Sequence, residues 1–439
     1  MAEKREPLEK LVNTRQGLIS RHIFSDPDIY RQELEKLFTR SWLFLGHSSE
    51  IPKPGDFITN YMGKDPVVVI NGKDGKIRAF LNSCQHRGMK ICRLDAGNAH
   101  AFTCIYHGWT YSDNGDLVAV PYEKTAYPNG IDKQRWSLLK VPKLESYGGL
   151  LFGNWDEDAE SLETYLGDLR FYFDVFLNRS LGDLTAVSGR QKYNCATNWK
   201  IPTDNFCGDD YHVPWTHGSY MKLGIMENYA EMPNYSFTFR NGHGIGDISL
   251  QEDAYSTDLS MAKELGKEAV EYVKECRERL LKLLKPKQAR VYAFGHGNVF
   301  PNFSLNDFSA LWPVGLYQWH PRGPEETEVW QTCLIDSGAP DSVRQAALGR
   351  FTHVQSAAGA FGQDDSENFE QVTEATRGVI AQRSQFNYQL GLDVEIEDEE
   401  ILSLPGIAGP RFSEHGQRNY YSHWLECMRD GFPNSKASS

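Results

Sequence analysis

The spacing of apolar positions changes twice along the chain, and the changes divide it. In "SDPDIYRQELEKLFTRSW" (25–42), Ile29, Leu34, Leu37 and Phe38 recur on one face of a helical period. Ser25 or Asp26 suits the N-cap and Pro27 the first turn, so a helix is predicted there. Beyond it the apolar runs become short. "DFITNYM", "DPVVVI", "KIRAFLN", "AFTCIYHGWTYS" and "DLVAV" read as strands, separated by turn signals such as "NGKDGK" and "SDNGD". They predict a small antiparallel β domain over 40–155. "KLESYGGLLFGNWDED" (143–158) then leads into a mixed region, with helices expected over 161–177 and 257–285 and a strand over 327–336. The architecture expected is α+β: an N-terminal helical segment (1–39) belonging to the larger domain, an inserted all-β domain (40–155), and a larger domain (156–439) of antiparallel sheet with helices.

Composition narrows the function classes. The 439 residues carry a formal net charge of −13, which disfavours a nucleic-acid backbone or an anionic membrane as partner. The opening "MAEKREPLEK" has no apolar core of a secretory signal, and the longest apolar runs, such as "PVVVI", are far too short to span a bilayer. Eight cysteines in a chain of this length do not form a disulfide framework, so a reducing, cytoplasmic setting is expected.

Four of the metal-binding side chains stand out. "CQHRGMKICRLDAGNAHAFTCIYHGW" offers Cys84 with His86 and Cys104 with His107. A structural zinc site would use the same residue types, but its usual spacing keeps cysteines together and histidines together. Here each short loop supplies one of each. That suits a Rieske [2Fe–2S] cluster, in which two histidines replace two cysteines on one iron and raise the potential. Cys92, Cys195, Cys207, Cys276, Cys333 and Cys427 lack such pairing and are read as buried small apolar residues.

An electron carrier alone does not need the rest of the chain. "NWKIPTDNFCGDDYHVPWTH" (198–217) places His212 and His217 five apart. On a regular helix these diverge by about 140°, so a shared metal requires a loosened turn, and Pro214 between them disturbs one. Asp209, three residues before His212, is expected on the same helix face and within reach of its ring. A carboxylate would complete the two-histidine, one-carboxylate set of oxygen-activating non-haem iron. "AAGAFGQDDSENFE" offers Asp364 and Asp365 at the start of an apparent helix, where helix capping is the competing role. His243 and His296, each flanked by glycine, are read as structural or pocket residues. "NGHGIG" lacks the spacing of a dinucleotide fingerprint.

Together the two motifs resemble the large (α) subunit of Rieske non-haem iron aromatic ring-hydroxylating dioxygenases, in the naphthalene, biphenyl and phenylpropionate group. The likeness runs over nearly the whole chain. "SWLFLGHSSEIPKPGDF" resembles the entry to the Rieske domain, "DNFCGDDYHVPWTH" the iron segment and "GQDDSEN" the third-ligand segment. The resemblance implies that Cys84 and Cys104 hold one cluster iron and His86 and His107 the other. It implies His212, His217 and Asp365 as ligands of mononuclear Fe(II), choosing Asp365 over Asp364. It makes Asp209 a bridging carboxylate between His212 and His107 of a neighbouring subunit.

The resemblance also implies a terminal oxygenase that adds both atoms of O2 to an arene as a cis-dihydrodiol. Its electrons would come from NADH through a separate reductase, with or without a ferredoxin, and it would assemble as an α3 trimer or with small β subunits as α3β3. Arg87, Lys90 and Arg93 beside the cluster loop could receive an acidic ferredoxin, or form an ordinary solvated face. The family's pocket maps onto Phe206, Cys207, Asp210, Val213, Phe303, Leu305, Ala357, Ala360 and Phe361. With no basic residue among them, a neutral or amine-bearing arene is expected. Two other readings remain open at this point: a Rieske monooxygenase or demethylase with the same metals, and a zinc-stapled binding protein without catalysis.

Overall fold

The computed structural model describes residues 7–223 and 234–430. The chain forms two units. One combines the described residues up to Leu37 with those from Glu163 onward; the other is Phe38–Leu162, an insertion into the first. The insertion ends later than residue 155 because Trp42 Nε1 donates to the Glu160 carbonyl and the Leu162 N–H donates to Glu145 Oε2, fastening that segment to the β unit.

The inserted unit consists of three small antiparallel sheets. Four strands pair in the order 77–81, 65–71, 56–62 and 96–98. A second sheet pairs 117–119, 110–112 and 101–103, and a third 143–147, 150–154 and 43–47. Val68, Ile70, Phe80, Phe102, Trp109 and Tyr111 pack into one core with Cys84 and Cys104. The cysteines are therefore part of the hydrophobic interior, not of a polar loop.

The larger unit is built on a nine-stranded antiparallel sheet. Strands 184–186, 326–336, 314–323, 303–307, 291–299, 244–250, 235–238 and 407–410 follow one another in space, and 191–195 also pairs with 326–336. The central strands are almost continuously buried, as expected where both faces are covered. Helices replace single long ones where glycine intervenes. The expected 257–285 helix is two, Gln251–Leu265 and Lys267–Leu283, broken at Gly266 (φ 105°). The expected 161–177 helix breaks at Gly167 (φ 52°) into Leu162–Leu166 and Leu169–Arg179. The helix Pro27–Lys36 starts where expected, with Asp26 accepting from the Asp28 and Ile29 N–H groups, but it ends six residues short of Trp42.

One buried cluster fixes the segment that carries the histidines. Lys200 Nζ lies 2.7 Å from Glu33 Oε1, and the Trp199 and Trp424 indole N–H groups both donate to the same carboxylate at 2.9 Å. Burial pushes the Lys200 ammonium below its ordinary pKa, and Glu33 opposes the shift. The lysine, the glutamate and both indoles are satisfied together, which is what makes such a pair tolerable in an interior.

Candidate active site

The two cysteine–histidine loops have the same backbone. The Cys84 N–H donates to the Met89 carbonyl and the Gly88 N–H to the Cys84 carbonyl; Cys104, Trp109 and Gly108 repeat both bonds, all four at 2.8 Å. Gly88 and Gly108 turn the chain at φ 73° and 74°, where a side chain would be strained. The loops set their histidines against each other, His86 Nδ1 and His107 Nδ1 being 3.1 Å apart. His86 also stacks on Trp109, with ring centroids 4.9 Å apart. Burial raises the Cys84 thiol pKa, with Tyr111 opposing and Cys104 reinforcing the shift, so the two sulfurs are neighbours. Tyr111, fully buried, sits 3.3 Å from Cys84 Sγ. The Gln85 N–H donates to the Tyr111 oxygen at 3.0 Å, which turns the phenolic proton toward the sulfur. Two converging imidazole Nδ1 atoms beside two buried thiols fit a mixed-ligand [2Fe–2S] cluster.

The second site is made by a broken helix. Lys200–Asn205 is helical; Gly208 (φ 108°) then turns the chain, and Val213–Thr216 forms one further turn with Pro214 inside it. His212 precedes that turn and His217 follows it in a non-helical conformation (φ −99°, ψ 20°). The irregularity removes the divergence of a regular i, i+5 pair, and the rings come within 5.4 Å. Asp209 lies in the turn, not on a helix face as expected, because Gly208 has already ended the helix. It still reaches His212: Asp209 Oδ1 accepts from the His212 N–H at 3.3 Å, and Oδ2 is 3.6 Å from Nδ1. His212 Nδ1 donates to the Asp209 carbonyl oxygen at 2.5 Å, which leaves the Nε2 lone pair free.

The helix Ala360–Thr376 brings the carboxylates. Asp365 Oδ1 is 3.6 Å from His212 Nε2 and 3.3 Å from His217 Nε2. Asp364 faces the other side of His217, 3.3 Å from Nδ1. Donors about 2.1 Å from one ion, at 90–110°, lie roughly 3.0–3.4 Å apart. Asp365 Oδ1 is buried and has no hydrogen-bond partner, and the three donor atoms lie within 4.8 Å of one another. A buried acceptor facing two imidazole lone pairs calls for a cation, and the set fits mononuclear iron. Burial disfavours the His212 cation, but Asp209 outweighs it and raises the pKa to about 9 in the metal-free site, a basicity that favours coordination once a metal ion displaces the Nε2 proton.

Beside Asp365 lies a cavity of about 430 Å³, counting its open mouth. Its walls include Tyr193, Phe206, Asn306, Tyr317, Gln355 and Phe361. Phe361 stacks on His217 with centroids 4.0 Å apart, one helical turn before Asp365. Of the nine expected pocket residues, Phe206 and Phe361 line this cavity. Cys207 is buried with its thiol directed to the Thr203 carbonyl. Asp210 is buried too, accepting from the Asp247 N–H at 3.2 Å and lying 3.6 Å from His296 Nε2. Phe303 and Leu305 are interior residues of strand 303–307. Ala357 and Ala360 flank the lining in sequence, and Val213 opens the one-turn helix. Tyr193, Asn306, Tyr317 and Gln355 escaped sequence reasoning because separate strands and a turn far apart in the chain contribute them. His243 is structural: Nε2 donates to the Tyr165 carbonyl and Nδ1 accepts from the Phe300 N–H.

Comparison with known proteins identifies the family of both parts of the chain. Residues 41–145 match the Rieske [2Fe-2S] domain and residues 182–430 the ring hydroxylating α subunit catalytic domain. The pair defines a Rieske-type oxygenase. The chain is 40% identical to a benzene 1,2-dioxygenase subunit alpha of Pseudomonas putida, covering 96% of this chain and 93% of that one. It is 38% identical to biphenyl 2,3-dioxygenase subunit alpha of Rhodococcus jostii, covering 96% and 91%. The crystal structure of naphthalene 1,2-dioxygenase from Rhodococcus sp. bound to indole superposes with a TM-score of 0.82 at 35% identity, covering 95% of each chain. The chain belongs to the α subunits of Rieske aromatic ring-hydroxylating dioxygenases.

Proposed function

We propose that this α subunit cis-dihydroxylates a neutral or amine-bearing arene held in the cavity beside Asp365. Cys84, His86, Cys104 and His107 would hold the cluster, and His212, His217 and Asp365 the iron. The cluster supplies electrons one at a time, and the iron supplies O2 activation. The observation that carries the reading is the convergence of His212 Nε2, His217 Nε2 and Asp365 Oδ1 at the wall of an aromatic-lined cavity.

The protein's own groups do the rest. The Asp209 carbonyl and Asp364 orient the two imidazoles from their Nδ1 sides, so that both Nε2 atoms face Asp365. Phe206, Phe361 and Trp319 hold an aromatic ring by stacking and keep water from its face. The Asp209 carboxylate is the group available to connect His212 with His107 of a neighbouring subunit in a trimer, with or without small β subunits. Electrons would come from NADH through a reductase and ferredoxin. Arg87, Lys90 and Arg93 are exposed beside the cluster loop, with Ile105 and Tyr106 on the other loop, a mixed basic and apolar face suited to an acidic carrier. Among the described residues no helix is long and apolar enough to cross a membrane.

Turnover in 18O2, with a compatible ferredoxin and reductase and a panel of arenes, tests the reading by mass spectrometry. A diol carrying two labelled oxygens is expected. An alcohol with one labelled oxygen, or loss of a methyl group, would instead support a monooxygenase or demethylase.

A further inference from the structure

The cavity has an aromatic wall and a polar end, and the polar end is built around Gln355. This residue closes a π-helical turn, Phe351–Gln355, a distortion frequent at functional sites. Its backbone carbonyl accepts from Gln331 Nε2 and from the Tyr317 hydroxyl, which pins it against the sheet. Its side-chain Nε2 donates to Asn306 Oδ1 at 3.5 Å, and Asn306 also lines the cavity. With the amide so oriented, Oε1 is the remaining acceptor. It is buried and has no hydrogen-bond partner, on a side chain that is 3% exposed.

A buried amide oxygen without a donor costs stability unless something supplies the donor. Most other buried polar groups of the wall already have partners. Tyr193 is bonded to Ser366, and Tyr317 to Gln331. No lysine, arginine or histidine stands among the described residues that line the cavity. A carboxylated arene would therefore find no basic side chain in the lining to pair with, and a plain hydrocarbon would leave Oε1 unpaired.

We infer that Gln355 is a specificity-determining acceptor for an uncharged hydrogen-bond donor on the ring, making the substrate class a phenol, an aniline or an anilide-like arene. The inference rests on the reading of the cavity as the arene site.

The test is anaerobic binding of phenol, aniline, anisole and toluene to the purified oxygenase by calorimetry, in wild type and in Gln355→Leu. Toluene matches phenol and aniline in size and lacks the donor; anisole keeps the oxygen and lacks the proton. Phenol is expected to bind at least about fivefold tighter than anisole in wild type. The phenol-to-toluene affinity ratio should fall about tenfold in Gln355→Leu. Gln355→Met carries the same comparison if the leucine variant loses its mononuclear iron or its cooperative unfolding.

Equal affinity for phenol and anisole in wild type overturns the inference, as does an unchanged ratio in a folded variant. If toluene still yields a doubly labelled diol in 18O2 while the ratio is unchanged, the arene reading stands and only the donor class falls. If wild type binds none of the four, the donor class falls, and the arene reading falls with it only if the 18O2 panel also gives no diol.

Discussion

Replacing Tyr111 with phenylalanine should lower the midpoint potential of the cluster. The phenol is buried and lies 3.3 Å from Cys84 Sγ, with its oxygen already occupied by the Gln85 N–H at 3.0 Å. Burial, reinforced by Cys84, raises its pKa well above the ordinary value, so the proton stays on the oxygen. A hydrogen bond to a charged acceptor contributes about 1.5–3 kcal/mol net. Reduction adds one electron spread over the whole cluster, so roughly a third to a half of that, about 1 kcal/mol, distinguishes the two redox states. For a one-electron couple a tenfold change in equilibrium constant is about 59 mV, so the loss corresponds to roughly 40 mV. The donor favours the more negative, reduced form, hence its removal moves the potential downward. A spectroelectrochemical titration of Tyr111→Phe beside wild type measures this directly. A midpoint within about 10 mV of wild type, with the cluster spectrum intact, would refute the reasoning.

The two metal sites should come apart. Cys84→Ser should abolish the visible cluster spectrum, whereas His212→Ala should keep it and lose the mononuclear iron by metal analysis. Asp209→Asn should leave both sites filled, and with substrate bound its prereduced cluster should reoxidise in O2 far more slowly than wild type. Glu33→Gln should cost about 3–5 kcal/mol in denaturant unfolding, because it leaves the Lys200 ammonium buried without its counter-charge. Asp204 gives a pH signature: burial raises its pKa to about 7, although the Tyr388 and Tyr421 hydroxyls donate to it. The folded state therefore keeps a proton that the unfolded state releases above its ordinary value of 3.8. Its contribution to stability is highest below that value, declines as pH rises toward 7 by up to about 4 kcal/mol, and is flat above. Asp204→Asn should remove that part of the slope in unfolding curves taken between pH 4 and 8.

What the sequence reveals about this molecule depends on whether the signal is local. The Cys84–His86 and Cys104–His107 loops are contiguous, so ligand type and spacing alone point to the cluster. The inserted β unit is equally readable, because its strands are short and bounded by turn residues. The amphipathic pattern predicts unbroken helices over 161–177 and 257–285 because it continues across Gly167 and Gly266, while the backbone does not. Spacing alone puts Asp209 on one helix face with His212, but the chain turns at Gly208 before reaching it. The cavity was least legible: Tyr193 reaches it because strand 191–195 pairs with 326–336, more than a hundred residues on, Asn306 and Tyr317 come from neighbouring strands of the same sheet, and Gln355 comes from a turn outside it. Tyr111 carries no signal beyond its nearness to Cys104, since its contact with Cys84 depends on how the loops fold together.

The Glu33 cluster also bears on how the protein is made. Glu33 leaves the ribosome long before its partners Trp199, Lys200 and Trp424. At roughly 5–20 residues per second, Trp424 follows about 20–80 seconds later, and the whole of Phe38–Leu162 emerges in between. During that interval an unpaired carboxylate waits on the helix Pro27–Lys36 while the inserted β unit already has all of its own strands. Cluster loading can therefore run ahead of closure of the larger unit, and slowing translation after Leu162 should favour chains that acquire iron and sulfide before Trp424 arrives to complete the cage around Glu33.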